Sequence, residues 1–124
     1  MSLVALHFMK LLLVDDDAFL RDMYATKFAE AGDKVEIAKD GKEALRLIEE
    51  DSFDAVVTDM IMPGITGADL IKEIVKNDNV CIVLSNQGEQ SDIDAAKKAG
   101  AKGYIIKADL IPSEVVKKVH NLIK

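Results

Sequence analysis

The chain has no tryptophan, one cysteine, two prolines and six aromatic residues in all, four Phe and two Tyr. A lone cysteine excludes an internal disulfide. Cys81 lies in the apolar run Val80-Cys81-Ile82-Val83-Leu84, which predicts a buried, inert thiol. A reducing cytoplasm is the simplest compartment for it. So few aromatics leave no platform for stacking bases. Basic residues are also short, 16 against 22 acidic for a net charge of −6. A surface that neutralises phosphates needs clustered Lys and Arg, so direct nucleic-acid binding is excluded. No apolar run approaches the roughly 18 residues of a membrane span, so no membrane partner is expected. There is no P-loop, no Gly-x-Gly-x-x-Gly and no His-Glu-x-x-His. His7 and His120 are isolated and read as surface or satisfied histidines. What the chain does have is 49% apolar and 31% charged residues over 124 positions, enough for one domain with its own core. Met1 to Phe8 is apolar but lacks a basic start and a cleavage site. It is set aside as an extension or expression scar, with residues 9–124 as the domain.

Strand and helix patterns alternate five times. Leu11-Leu12-Leu13-Val14 is a continuous apolar run, as expected of a strand buried on both faces. After Asp15-Asp16-Asp17, with Asp17 as a helix cap, Phe19, Leu20, Met23, Tyr24, Phe28 and Ala31 recur at helical spacing, and Gly32 closes the helix. A short strand falls around Val35–Ala38. Asp40 and Glu43 then form an Asp-x-x-Glu start before Ala44, Leu45 and Ile48. Ala55–Thr58 is a third strand, followed by a loop with Pro63, Gly64 and Gly67 and a helix opened by Thr66 or its neighbour. Val80–Leu84 is the fourth strand, and a polar loop leads to a helix capped by Ser91 and closed by Gly100. Gly103–Ile106 is the fifth, and Pro112 begins the last helix, with Ile111 a poor cap before it. Five such units imply a flavodoxin-like, doubly wound α/β fold. It has one parallel five-stranded sheet of order 2-1-3-4-5, with five helices covering both faces.

Ligands of such sheets bind at the carboxyl ends of the strands. There the chain places Asp15 and Asp16, Asp59, Ser85 and Lys107, each directly after an apolar run. Singly, each reads as a cap, a strand terminator, a turn residue or a solvated lysine. Together they suit phosphoryl chemistry. Three neighbouring carboxylates repel, and a divalent cation relieves the repulsion. Oxygen ligands with open water positions favour Mg²⁺, with Mn²⁺ or Ca²⁺ as substitutes. A lysine and a hydroxyl can hold phosphoryl oxygens, and a carboxylate can itself become an aspartyl phosphate. The residues alone leave open which acid that is. Asp15, Asp16, Asp59 and Lys107 carry a formal −2 of the chain's −6.

Val14-Asp15-Asp16, Asp59-Met60-Ile61-Met62-Pro63-Gly64 with Gly67, Val83-Leu84-Ser85 and Gly103-Tyr104-Ile105-Ile106-Lys107 resemble the response-regulator receiver domain of two-component signalling. The resemblance runs from about Lys10 to Lys124. It implies that Asp59 accepts a phosphoryl group from a histidine kinase or phosphotransfer protein. It further implies that Asp15, Asp16, Asp59 and the Ile61 carbonyl hold Mg²⁺, that Ser85 and Lys107 bind the phosphate, and that Ser85 and Tyr104 form a switch. Such a protein catalyses only its own phosphorylation and dephosphorylation. In the family, the fourth helix, fifth strand and fifth helix often form an output surface, sometimes a homodimer. Which partner reads this chain, and whether the chain stands alone or belongs to a longer regulator, the residues leave open.

Three positions depart from the family pattern. Ala108 replaces the usual Pro after the lysine. A cis bond without Pro costs about 2.5–4 kcal/mol, so either a trans bond with a rearranged loop or a strained cis bond is expected. Ile61 and Asn86 place an apolar and a larger side chain beside the site, where they would tune water access. Three rival readings use the same residues. A haloacid-dehalogenase-like phosphatase would use Asp15-x-Asp17 with Asp15 as nucleophile. A flavodoxin-like binding module is disfavoured by the acids of the first loop. A pseudo-receiver would dock without phosphorylation.

Overall fold

The computed structural model describes residues 9–86 and 88–123. The proposed extension Met1–Phe8, and His7 with it, lies outside the described residues. Five parallel strands, β1 (Lys10–Val14), β2 (Lys34–Ala38), β3 (Ala55–Thr58), β4 (Cys81–Ser85) and β5 (Gly103–Ile106), form one sheet in the order β2-β1-β3-β4-β5. Helices α1 (Ala18–Glu30), α2 (Gly41–Glu50), α3 (Gly67–Lys76), α4 (Gln90–Ala99) and α5 (Pro112–Ile123) alternate with them. The expected order and fold class are the observed ones.

The alternation of side chains along each strand divides the interior into two layers. Leu11, Leu13, Val57, Ile82 and Ile105 pack against Tyr24 and Phe28 of α1 and Val115, Val116 and Val119 of α5. Leu12, Val14, Val56, Cys81 and Val83 face Ala44 and Ile48 of α2, Leu70, Ile71 and Ile74 of α3 and Ala96 of α4. The thiol of Cys81 is buried, which pushes its pKa up to about 12, as its apolar run implied.

Local chemistry fixes the helix ends that frame the carboxyl edge. The Asp17 carboxylate accepts the Leu20 N–H at 3.0 Å, Asp40 the Glu43 N–H at 2.8 Å and the Thr66 hydroxyl the Asp69 N–H at 3.2 Å. Gly32 (φ +99°) and Gly100 (φ +116°) take the left-handed conformation that closes α1 and α4. Ser91 does not cap α4. The helix starts one residue earlier, at Gln90, and the cap position, Glu89, makes no side-chain bond there. Ile111 contributes no cap either, but its N–H donates to the Glu114 carboxylate at 3.0 Å, so the first turn of α5 is held from within. Gly67 opens α3 against the loop that follows β3. A Cβ there would lie 2.5 Å from the Met60 carbonyl oxygen, and neither backbone can yield.

Candidate functional site

Asp15 directly follows β1, and Asp59 directly follows β3. Their main-chain N–H groups donate to the carbonyls of Ala38 and Val14, both at 3.1 Å, extending the sheet ladder by one residue. Each carboxylate then has one oxygen tied locally and one tied across the sheet. Asp15 Oδ1 accepts the Asp17 N–H at 2.9 Å, and Asp59 Oδ1 accepts the Ile61 N–H at 3.1 Å. The remaining oxygens converge on Lys107 Nζ, 2.7 Å from Asp15 Oδ2 and 2.9 Å from Asp59 Oδ2.

Lys107 starts a single 3-10 turn, Lys107–Asp109, after β5, and its residue exposure is only 7%. Burial is the largest influence on its ammonium and favours the neutral form. The hydrogen bonds and charges of Asp15 and Asp59 together outweigh it, and the pKa ends above the ordinary lysine value. The described backbone has no cis peptide, so the 107–108 bond is trans. With Ala at 108 there is no proline to lower the cis penalty, and of the two expected outcomes it is the trans bond that occurs, followed by the 3-10 turn Lys107–Asp109.

The three acids are not a ready-made cluster. Asp15 is buried, Asp59 nearly so, and Asp16 is exposed with no hydrogen bond among the described residues. No group of three or more His, Cys, Asp or Glu among the described residues is gathered to hold a metal. The expected repulsion between the two inner carboxylates is relieved by Lys107, which is buried between them and not solvated. The donor set still fits a small hard cation. Mg²⁺ keeps several waters and takes one or two carboxylates, and every nearby protein acceptor is an oxygen.

Ser85 is the last residue of β4 and is 1% exposed. Tyr104, one strand over on β5, is half-buried against the α2–α4 layer. Burial pushes its phenol above the usual value, a hydrogen bond with Ser85 pulls it back, and the charges of Asp92 and Asp59 push it up again. Tyr104 thus feels both the Ser85 side chain and the charge of Asp59. Ile61 is 58% exposed beside Asp59, and Asn86 is exposed after Ser85.

Two residues of α1 were missed in the sequence. Arg21 Nη1 donates to the Asp15 carbonyl at 3.1 Å. Tyr24 is buried close enough to Lys107 and Asp15 to feel both charges, and burial raises its phenol. The spacing 17-21-24-28 puts Arg21 on the stripe that buries Tyr24 and Phe28. A charged residue on that stripe was the available signal.

A doubly wound domain with a lysine-bridged aspartate pair at the carboxyl edge of its sheet is the class this architecture defines. Comparison with known proteins narrows it. Residues 11–120 match the response regulator receiver domain. The chain is 40% identical over 118 residues to the chemotaxis protein CheY of Thermotoga maritima, covering 93% of this chain and 98% of that one. It is 36% identical over 101 residues to the two-component response regulator PhoP of Pseudomonas aeruginosa, covering 80% of this chain and 45% of PhoP. It thus spans about half the length of PhoP-like relatives. The structure of the chemotaxis response regulator CheY4 of Vibrio cholerae superposes with a TM-score of 0.86 at 28% identity, covering 94% of this chain and 99% of that one. The chain belongs to the response regulator receiver domain family.

Proposed function

We propose that residues 9–124 form a phosphoacceptor switch in which Asp59 takes a phosphoryl group from a phosphohistidine of a sensor kinase or phosphotransfer protein. The observation that carries this reading is Lys107 Nζ held 2.9 Å from Asp59 Oδ2 and 2.7 Å from Asp15 Oδ2 in a buried pocket. In the transfer, a carboxylate oxygen of Asp59 bonds to phosphorus, the phosphorus–nitrogen bond of the donor breaks, and the departing imidazole keeps the electron pair and gains a proton. Asp59 is held from two sides, by the Ile61 N–H and by Lys107, so its carboxylate is oriented before the donor arrives. Lys107 then turns its positive charge to the new phosphoryl oxygens. Asp15, Asp16, Asp59 and the Ile61 carbonyl would hold Mg²⁺, which supplies charge neutralisation for the incoming group. Phosphorylation adds roughly one negative charge at Asp59. Ser85, buried one strand away, supplies a hydroxyl for it, and the Ser85–Tyr104 link carries the change to the α4–β5–α5 face. A cytoplasmic protein that modifies only itself is the expected setting, and the output partner reads that face.

Incubation with acetyl phosphate and Mg²⁺, followed by intact-mass analysis, tests the reading. One phosphoryl adduct is expected, Mg²⁺-dependent and absent in Asp59→Asn. An adduct that survives Asp59→Asn but is lost in Asp15→Asn would instead establish the phosphatase chemistry. Ile61, exposed beside the acceptor, is assigned with Asn86 to control of water access. Ile61→Asn should change the dephosphorylation rate, and an equal rate removes that role.

A further inference from the structure

Arg21 is placed at two local disadvantages. It sits in the N-terminal part of α1, where a helix disfavours positive charge, and its Nε is buried with no hydrogen-bond partner among the described residues. Among the described residues its one side-chain bond is Nη1 to the Asp15 carbonyl at 3.1 Å. That bond completes the restraint of Asp15: N–H to Ala38, Oδ1 to the Asp17 N–H, Oδ2 to Lys107, and carbonyl to Arg21. The four restraints are not equivalent. Lys107 also serves Asp59 and is drawn to the phosphoryl oxygens once Asp59 is modified. Arg21 grips the main chain from the α1 side, and nothing in the transfer asks it to move. The carbonyl it holds belongs to the peptide joining Asp15 to Asp16, from which both carboxylates project.

We infer that Arg21 is a positioning residue that anchors the Asp15–Asp16 peptide, so that the acidic pocket keeps its shape for a divalent cation while Lys107 changes partners. The inference rests on the phosphoacceptor reading and adds to it a fixed cation behind the pocket and a mobile one within it. Outer residues that orient metal ligands typically change metal affinity by about tenfold or more when removed.

The test is calorimetric titration of the chain with Mg²⁺ alone, without phosphodonor, in the parent, Arg21→Gln and Arg21→Lys, with a thermal melt of each. The expected result is a Mg²⁺ Kd weakened about tenfold in Arg21→Gln and less in Arg21→Lys, which keeps the charge and a single donor group. A melting temperature that falls in both variants while Kd stays at the parental value would show a packing role only and overturn the inference. Should Arg21→Gln not fold, the parent carries the test by NMR. The Arg21 Nε–H signal should exchange slowly with solvent both before and after Mg²⁺ and beryllofluoride are added, and fast exchange in the loaded state overturns the inference. A parent that takes up no Mg²⁺ overturns the phosphoacceptor reading itself, an outcome distinct from the other two.

Discussion

Two lysines in this domain each join two carboxylates, at opposite ends of the sheet. At the amino end, Lys10 pairs with Asp51 and, at 3.6 Å, with Glu36, and its ammonium lies 5.3 Å from the centre of the Phe53 ring. At the carboxyl end, Lys107 pairs with Asp15 and Asp59. The ingredients are the same and the surroundings are not. The side chains of Lys10, Asp51 and Glu36 are 26%, 43% and 37% exposed, those of Lys107, Asp15 and Asp59 5%, 4% and 12%. Water already solvates the first group, so its pairing adds little. In the second group each charge is tolerated only because the other two are present. An arrangement that depends on its own members is one that a new charge can upset, which a switch requires.

The sharpest way to break this comparison is to remove each ammonium in turn. Lys107→Met should slow formation of the Asp59 phosphoryl adduct about 100-fold, the scale of losing one donor to a developing oxyanion. Lys10→Met should leave it unchanged. Intact-mass time courses with acetyl phosphate measure both, and equal rates would remove any functional distinction between the two ends. Stability separates them next. Lys107→Met leaves two buried carboxylates without a counter-charge and should cost about 3 kcal/mol in urea denaturation. Added Mg²⁺ should restore much of the loss, since a second cation source is all that is missing. A loss that Mg²⁺ does not touch points to packing of the lysine stem instead.

The Ser85 and Tyr104 side chains offer a finer test. Burial raises the Tyr104 phenol and the bond with Ser85 lowers it, so Ser85→Ala should raise it further. In a Tyr24→Phe background, ultraviolet absorbance titration reports Tyr104 alone. A phenol whose folded pKa is raised contributes stability that is fully present below its unfolded value of about 10 and lost as pH rises through the folded value. The parent should therefore weaken above about pH 10, and Ser85→Ala over a wider alkaline window. A downward shift on removing Ser85 would mean the two hydroxyls are not coupled.

Much of this arrangement was legible in the sequence because it depends on order along the chain. Apolar runs ending in Asp15, Asp59, Ser85 and Lys107 fix which strand carries which group, and a parallel sheet puts all those ends on one edge. The 2-1-3-4-5 order is one of the few that four right-handed crossovers allow, and the observed order agrees. What escaped depends on reach and burial. Taken alone, Lys107 reads as a solvated lysine because its stem length does not say which way it lies. Asp16, adjacent to Asp15, was grouped with it, although successive residues point to opposite sides and only Asp15 turns inward. Residue type favours Ser91 as the α4 cap, but the helix begins before it. Arg21 is hidden because a charged residue on an apolar stripe reads as a break in the pattern and not as part of it.

The smallest expected effect lies at the exposed end and tests whether burial is what distinguishes the two lysines. The bond from Lys10, aided by the Ser52 N–H, holds the Asp51 carboxyl below its ordinary value. A depressed carboxyl contributes stability that is present above the unfolded pKa of about 3.9 and lost as pH falls through the folded one. At low salt, Asp51→Asn should be slightly less stable than the parent near neutrality, and the difference should close in acid. Raising the salt to about 1 M shortens the screening length to roughly 3 Å and should erase the difference near neutrality as well. Monovalent salt should leave the loss at Lys107→Met largely intact, because buried charges are screened far less than exposed ones. If the Asp51 difference survives salt while the Lys107 loss fades, the two ends have exchanged roles, and burial is not what makes one lysine structural and the other responsive.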